Sequence, residues 1–119
     1  MTSLAEKKGF IWFDGEIIKS EDANVHVLTH TLHYGLGVFE GVRAYETPEG
    51  TKIFRLNDHT ERLFASAKAV ELEIPFTVDE INKAQIEIVK RNDLKEAYIR
   101  PMSFYGSGSL GLRADDLKV

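Results

Sequence analysis

The stretch FIWFDGEII, residues 10–18, predicts an antiparallel β-hairpin. The Asp-Gly pair at residues 14–15 separates two short apolar runs, and this pair favours the two-residue turn whose central residues both have positive φ. A second hairpin is predicted at residues 42–45 and 51–55, because residues 47–50 (TPEG) between them are typical of a turn. Antiparallel pairing is therefore the first indication of the fold class.

Two amphipathic helices are predicted after these hairpins. The first begins with Asn57 or Asp58 as its cap and runs to about Val70. The second begins at a capping box, in which the Thr77 hydroxyl accepts from a backbone N–H and Glu80 reaches back. Their buried faces are predicted to consist of Leu63, Phe64, Ala67 and Val70 in the first helix and of Ile81, Ala84, Ile88 and Val89 in the second.

Three further segments complete the predicted fold. Residues 25–28 are a candidate short strand, and the glycine-containing residues 29–41 are expected to form a loop with one helical turn. The second helix is predicted to end at Asn92, and residues 97–105 to form a strand in which Pro101 indicates an edge position or a bulge. The order of strands, helices and strand indicates an α+β fold, with a largely antiparallel sheet and two helices packed on it.

The composition is that of a single domain spanning residues 1–119, with 43% hydrophobic residues for its core. Fifteen Lys and Arg against nineteen Asp and Glu give a net charge of −4, which disfavours nucleic acid or an acidic membrane as a partner. A membrane span needs about 18 apolar residues and a signal peptide about 7, and the N-terminal region offers only the short run 10–13. The absence of cysteine excludes disulfides and thiol chemistry. These features predict a soluble, cytoplasmic domain.

Two motifs suggest ligands that the rest of the sequence disfavours. Gly106, Gly108 and Gly111 match the spacing of the dinucleotide fingerprint, but that fingerprint needs an acidic residue about 20 positions further on. Only residues 112–119 follow, so a flexible loop is favoured.

Three histidines have the spacing of a metal site on a helix, namely His26, His30 and His33. Gly35 and Gly37 argue against a long continuous helix here, and no cysteine supports such a site. A structural or hydrogen-bonding role is therefore favoured over zinc, and no metal is predicted.

Three side chains with a possible role in recognition share one face of the last predicted strand. Tyr98, Arg100 and Met102 alternate along it, so they form an apolar surface with one cation. Such a surface suits a carboxylate next to an apolar group, although Arg100 could equally pair with an Asp or Glu of the same domain. Arg62, on the first helix, could bind a phosphate or another anion, or simply be solvated.

Several separate motifs resemble those of the branched-chain amino-acid aminotransferases, which are class IV enzymes that use pyridoxal 5'-phosphate (PLP). The resemblance extends in register from about Phe10 to Leu112. Its motifs are IWFDGE at 11–16, HTLHYG at 30–35, VFEGVRAY at 38–45, FRLNDH at 54–59 and YIRP at 98–101.

The resemblance implies an enzyme that transfers an amino group between L-leucine, L-isoleucine or L-valine and 2-oxoglutarate. In this family a C-terminal domain holds PLP through a lysine Schiff base, and a small N-terminal domain supplies much of the substrate pocket. Residues 1–119 would be that small domain, without the PLP-lysine domain. The resemblance therefore implies that this chain contains no catalytic residue and is inactive alone.

The resemblance also assigns roles to individual residues. Arg62 would contact the PLP phosphate, and Arg100 would bind the distal carboxylate of glutamate. The wall of the pocket for the branched side chain would consist of Phe39, Gly41, Arg43 and Tyr98. Tyr34 and Leu112 would reach into the partner subunit's site across a dimer interface, although residues 107–112 depart from the loop sequence usual in the family.

Two alternatives remain open from the sequence. The full protein could be another class IV enzyme, a D-amino-acid aminotransferase or an aminodeoxychorismate lyase. The chain could also be a stand-alone, non-catalytic ligand-binding domain. If the chain is part of such a two-domain enzyme, the faces toward the second domain and the second subunit are left bare, so an exposed apolar patch is expected around Tyr34, Phe39 and residues 104–112, with self-association as its consequence.

Overall fold

The computed structural model describes residues 8–107 and residue 119. Its first elements are the strands β1 (Phe10–Phe13) and β2 (Glu16–Lys19), a short 3-10 helix (Ser20–Asp22) and helix α1 (His30–Tyr34). Next come strands β3 (Gly37–Phe39), β4 (Val42–Thr47) and β5 (Gly50–Ile53), and helices α2 (Leu56–Ala69) and α3 (Val78–Arg91). Strands β6 (Ala97–Ile99) and β7 (Met102–Phe104) complete the described part.

All strand pairs in this part are antiparallel, which confirms the predicted α+β class. The strands form three small sheets, β1-β2, β3-β7 and β5-β4-β6. Both predicted hairpins are present, with Phe13 paired to Glu16 in the first and Thr47 paired to Gly50 in the second. None of the helices in the described ranges is long and apolar enough to cross a membrane.

The strand predicted at residues 97–105 is divided in two at Pro101. Proline has no N–H to donate, so it interrupts the ladder. Its carbonyl accepts instead from the Glu40 backbone N–H at 3.0 Å. As a result β6 pairs with β4, whereas β7 pairs with β3 in another sheet.

The prediction for residues 25–41 is correct for the helical turn and wrong for both flanks. The candidate strand at 25–28 is a turn, in which the Thr29 N–H donates to the His26 carbonyl at 2.9 Å. Helix α1 is the expected single helical turn, and it ends at Gly35 with a left-handed backbone (φ 73°). Strand β3, which the sequence did not predict, forms because β7 supplies its pairing partner.

The long helices begin in different ways. Helix α3 has the predicted capping box: the Glu80 N–H donates to Thr77 Oγ1 at 3.2 Å, and the Thr77 N–H donates to Glu80 Oε2 at 2.7 Å. It ends at Asn92, as predicted. Helix α2 begins at Leu56, so the predicted caps Asn57 and Asp58 lie inside the helix, and the Asp58 carboxylate instead pairs with Arg55 at 2.8 Å.

Ala67 of α2, Leu72 and Tyr105 form a cluster of buried apolar side chains, and further buried apolar residues lie on β4, α2 and α3. Val42 and Ala44 are buried, and so are Leu63 and Ala67 of α2. The predicted stripe of α3 is buried at Ile81, Ala84 and Val89, and the remaining members of the two stripes, Phe64, Val70 and Ile88, are half-buried. Because side chains alternate along a strand, the core placement of Val42 and Ala44 leaves the residues between and beyond them on the outer face.

Candidate functional site

The outer face of β4 holds Arg43 and Tyr45, and the Arg43 guanidinium lies 5.9 Å from the Tyr45 ring centroid. Arg43 is paired with Tyr98 of β6, so these side chains are neighbours across the sheet. On the other edge, the Phe54 N–H donates to the Arg43 carbonyl at 2.9 Å. Tyr98 and Phe54 are more than half exposed, so this face is aromatic and open to solvent.

Arg100 is held over two aromatic rings of this face. Its Nη2 donates to the Tyr98 hydroxyl at 3.1 Å, and its guanidinium carbon lies 4.3 Å from the Phe39 ring centroid. Strand β3 brings Phe39 here because it pairs with Met102 in the β3-β7 register. Among the side chains of residues 8–107, Arg100 has aromatic contacts and no ion pair, so no Asp or Glu in that range is the internal partner that the sequence also allowed.

Gly41 makes room for this arrangement. A Cβ built at Gly41 would overlap the Tyr98 hydroxyl and lie 2.9 Å from the ring carbon that carries it. Any larger residue would therefore displace Tyr98 and, with it, the hydrogen bond from Arg100. The structure thus brings together four of the predicted pocket residues, Phe39, Gly41, Tyr98 and Arg100, with Arg43 adjacent to Tyr98.

Arg62 belongs to a charged cluster that the sequence did not predict. Glu40 Oε2 accepts from Arg62 Nε at 2.8 Å, and Glu40 Oε1 accepts from Arg62 Nη2 at 2.7 Å. His59 Nδ1 lies 2.8 Å from the same Oε1. The Glu40 side chain is 5% exposed, whereas that of Arg62 is 68% exposed.

The cluster sets the charge state of its members. The hydrogen bond from Arg62 lowers the pKa of the Glu40 carboxyl, and the contact with His59 acts in the same direction against the opposing effect of burial. The reciprocal hydrogen bond raises the pKa of Arg62. Glu40 is therefore an ionised carboxylate at neutral pH, and it holds one edge of an otherwise solvent-facing guanidinium.

A signal for this cluster was present in the sequence. Val38, Glu40 and Val42 alternate, so Glu40 occupies an inward position between two apolar residues. A carboxylate at such a position needs a cation as its partner, because a buried, unpaired charge is costly. Only the packing of α2 shows that Arg62 is this cation, and that both Arg62 and His59 lie within hydrogen-bond distance of the Glu40 carboxylate.

The other predicted site residues lie elsewhere or outside the described ranges. Tyr34, in α1, is 42% exposed, and its ring centroid lies 4.6 Å from that of the buried His30. Leu112, Gly108 and Gly111 lie outside the described residues. In the expected apolar patch Tyr34 and Phe39 are exposed, but Tyr105 is buried against Ala67 and Leu72, and its hydroxyl donates to the Glu71 carbonyl at 2.9 Å.

The histidines of the candidate metal site contact the backbone or neighbouring rings. His26 Nδ1 accepts from the Leu28 N–H at 3.0 Å, and His33 Nε2 lies 2.8 Å from the Val27 carbonyl oxygen. His30 packs against Tyr34 and Tyr105. Within the part of the chain that the structure describes, no group of three or more His, Asp or Glu residues could hold a metal ion.

The chain belongs to the class IV aminotransferase family, whose sequence profile matches residues 37–119. It is 61% identical, over 117 residues, to the branched-chain-amino-acid aminotransferase of Pseudomonas aeruginosa. That match covers 98% of this chain and 38% of the relative. The resemblance inferred from the motifs is confirmed at the level of the family.

Two solved structures have the same fold over most of the chain. The T.th. branched-chain amino acid aminotransferase, in complex with N-(5'-phosphopyridoxyl)-L-glutamate, gives a TM-score of 0.87 at 47% identity, covering 89% of this chain and 36% of that one. The branched-chain aminotransferase of Thermoproteus uzoniensis, with norvaline, gives 0.88 at 42% identity, covering 93% and 38%. The chain thus spans a little over a third of the length of these relatives.

Proposed function

We propose that this chain is the small N-terminal domain of a PLP-dependent branched-chain aminotransferase. The complete enzyme would transfer an amino group between L-leucine, L-isoleucine or L-valine and 2-oxoglutarate. The identity to the Pseudomonas aeruginosa enzyme of this name supports the proposal, and so does the fold shared with the T.th. enzyme. A second domain, contributing the lysine that binds PLP, belongs to the same proposal.

The observation that carries the proposal is the position of Arg100 over Phe39 and beside Tyr98. Such an enzyme must accept a branched apolar side chain and the acidic side chain of glutamate in one pocket. Phe39 and Tyr98 offer an apolar wall for the first, and Arg100 offers a cation for the second. Its partners among residues 8–107 are aromatic, so binding a substrate carboxylate would break no ion pair within that part of the chain.

The residues present also fit the cofactor. A guanidinium has five N–H donors, and the two bonds to Glu40 engage only two of them. We therefore assign Arg62 to the cofactor phosphate, where a planar cation can form paired hydrogen bonds. PLP, when bound, supplies the electron sink for the reaction. This domain's part would be to bind and orient cofactor and substrate.

The remaining assignments concern the oligomeric assembly and the cellular localisation of the complete protein. Tyr34 and Leu112 would reach the active site of the partner subunit in a cytoplasmic homo-oligomer. Support comes from the apolar side chains exposed on and before α1, where Val27 is 70% and Leu32 63% exposed. Surfaces of this kind commonly mark contacts with another protein.

The test uses the complete protein that contains this chain. Its kcat/KM is measured with L-leucine and with D-alanine as amino donors to 2-oxoglutarate, after reconstitution with PLP. The proposal predicts a clear preference for L-leucine. A preference for D-alanine would instead indicate the D-amino-acid branch of the family, and lack of turnover with both donors would contradict the proposed activity.

A further inference from the structure

Glu40 lies between the two parts of the candidate site, which are the residues around Tyr98 and the charged cluster of Arg62. Its chain neighbours, Phe39 and Gly41, belong to the group of Phe39, Gly41, Tyr98 and Arg100, which we call the aromatic face. Its own side chain points the opposite way, toward α2, and is 5% exposed. Its backbone N–H is fixed by the Pro101 carbonyl at 3.0 Å, next to Arg100. One residue therefore joins the aromatic face to the helix that presents Arg62.

The contact fixes the orientation of Arg62. A long, 68% exposed arginine would otherwise sample many rotamers, and ordering it on binding an anion would reduce affinity. Glu40 engages its Nε and one hydrogen of Nη2, so the remaining donors are held on the opposite edge of a fixed plane. His59, one turn earlier on α2, contacts the same carboxylate and holds it from a second side.

We propose that Glu40 is a positioning residue that pre-orients Arg62 for the cofactor phosphate. This inference rests on the proposed role of Arg62. Glu40 does not touch the phosphate itself, since both of its oxygens are bound within the Glu40–His59–Arg62 cluster. Its contribution is to hold the guanidinium in one orientation before the phosphate binds, and to fix the position of that guanidinium relative to the aromatic face.

The test compares two ligands that differ only in the phosphate. Equilibrium dissociation constants for PLP and for pyridoxal are measured on the complete apo-enzyme and on its Glu40→Gln, Arg62→Ala and doubly substituted variants. Arg62→Ala is expected to raise the dissociation constant for PLP about 100-fold and Glu40→Gln about 10-fold, because hydrogen bonds to charged groups are stronger than those between neutral groups. Pyridoxal affinity is expected to stay within about twofold, and Glu40→Gln to have no further effect beside Arg62→Ala.

Two controls keep the result interpretable. Asp58→Asn removes a carboxylate that pairs with Arg55 on the surface of the same helix, at 2.8 Å, and is expected to change neither affinity. Glu40→Asp retains the charge on a shorter side chain and is expected to keep more PLP affinity than Glu40→Gln. This variant also provides the measurement if Glu40→Gln fails to fold.

The outcomes separate this inference from the function on which it rests. If Arg62→Ala leaves the ratio of PLP to pyridoxal affinity unchanged, the proposed role of Arg62 is wrong. If that ratio falls for Arg62→Ala but not for the Glu40 variants, Glu40 is not a positioning residue. Equal loss of both ligands on Glu40→Gln, or effects of Glu40 and Arg62 that simply add, would also overturn the inference.

Discussion

The Glu40 carboxylate accepts two hydrogen bonds from the Arg62 guanidinium, at 2.8 Å from Nε and 2.7 Å from Nη2. The carboxylate is buried and the guanidinium is largely exposed. The pair thus presents an ordered cation at the surface and hides the anion that orders it. This asymmetry has consequences for stability as well as for binding.

Acid should destabilise the chain through Glu40. Arg62 lowers the pKa of Glu40 in the folded state, so the folded state binds this proton less tightly than the unfolded state does. The stabilisation is therefore complete above the unfolded value, about 4.3. It is lost as the pH falls through the lower folded value. Urea unfolding of the 119-residue chain between about pH 3 and pH 7 measures this dependence.

Glu40→Gln provides the comparison for that titration. The variant should lose about 2 kcal/mol of unfolding free energy at pH 7, from the charged hydrogen bonds, and much less at low pH. Its stability should therefore depend less steeply on pH than that of the parent chain. Parallel pH profiles for the two chains would contradict the assignment.

Gly41→Ala should impair the aromatic face. The added Cβ overlaps the Tyr98 hydroxyl, and overpacking of this kind costs about 1–3 kcal/mol. We expect kcat/KM of the complete enzyme to fall at least about tenfold with both leucine and glutamate. Tyr98→Phe in the same chain removes the hydroxyl nearest to the new methyl group and should restore part of the loss. Full activity of Gly41→Ala would show that Tyr98 moves aside freely.

Thr77→Ala should destabilise the chain by about 1 kcal/mol, because the capping box of α3 loses its acceptor for the Glu80 N–H. Asp58→Ala is the matched control on α2, since Asp58 lies inside the helix and only forms an exposed pair with Arg55. It should cost less than about 0.5 kcal/mol. Denaturant unfolding of the two variants distinguishes these values, and equal losses would argue against the cap.

Elements with a local cause were predictable from the sequence. The Asp-Gly turn, the capping box at Thr77 and the end of α3 at Asn92 each depend on residues within a few positions of one another. Strand β3 depends instead on β7, about 65 positions away, and begins at a glycine that favours no strand by itself. The start of α2 at Leu56 depends on the left-handed backbone of Arg55, which the side-chain preferences for caps do not indicate.

In the candidate site, too, contacts between residues close in the sequence were predictable, and contacts between distant residues were not. Alternation along a single strand placed Tyr98 and Arg100 on one face, and the structure confirms their contact. Phe39 joins them only through the β3-β7 pairing, which the sequence alone did not show. The partnership of Glu40 with Arg62 was missed for a related reason, because the two lie 22 positions apart and meet only when α2 packs on the sheet.

The measurement that tests the central claim most directly is kcat/KM of the complete enzyme carrying Arg100→Leu, determined with L-glutamate and with L-leucine. If Arg100 is the cation that binds the acidic substrate, kcat/KM should fall about 100-fold with L-glutamate and less than about threefold with L-leucine. Arg91→Leu is the matched control, since Arg91 is an α3 arginine that likewise lies over an aromatic ring, that of Phe10 at 4.6 Å, and it should change neither value. Equal losses for both substrates with Arg100→Leu, or no loss for glutamate, would contradict the account.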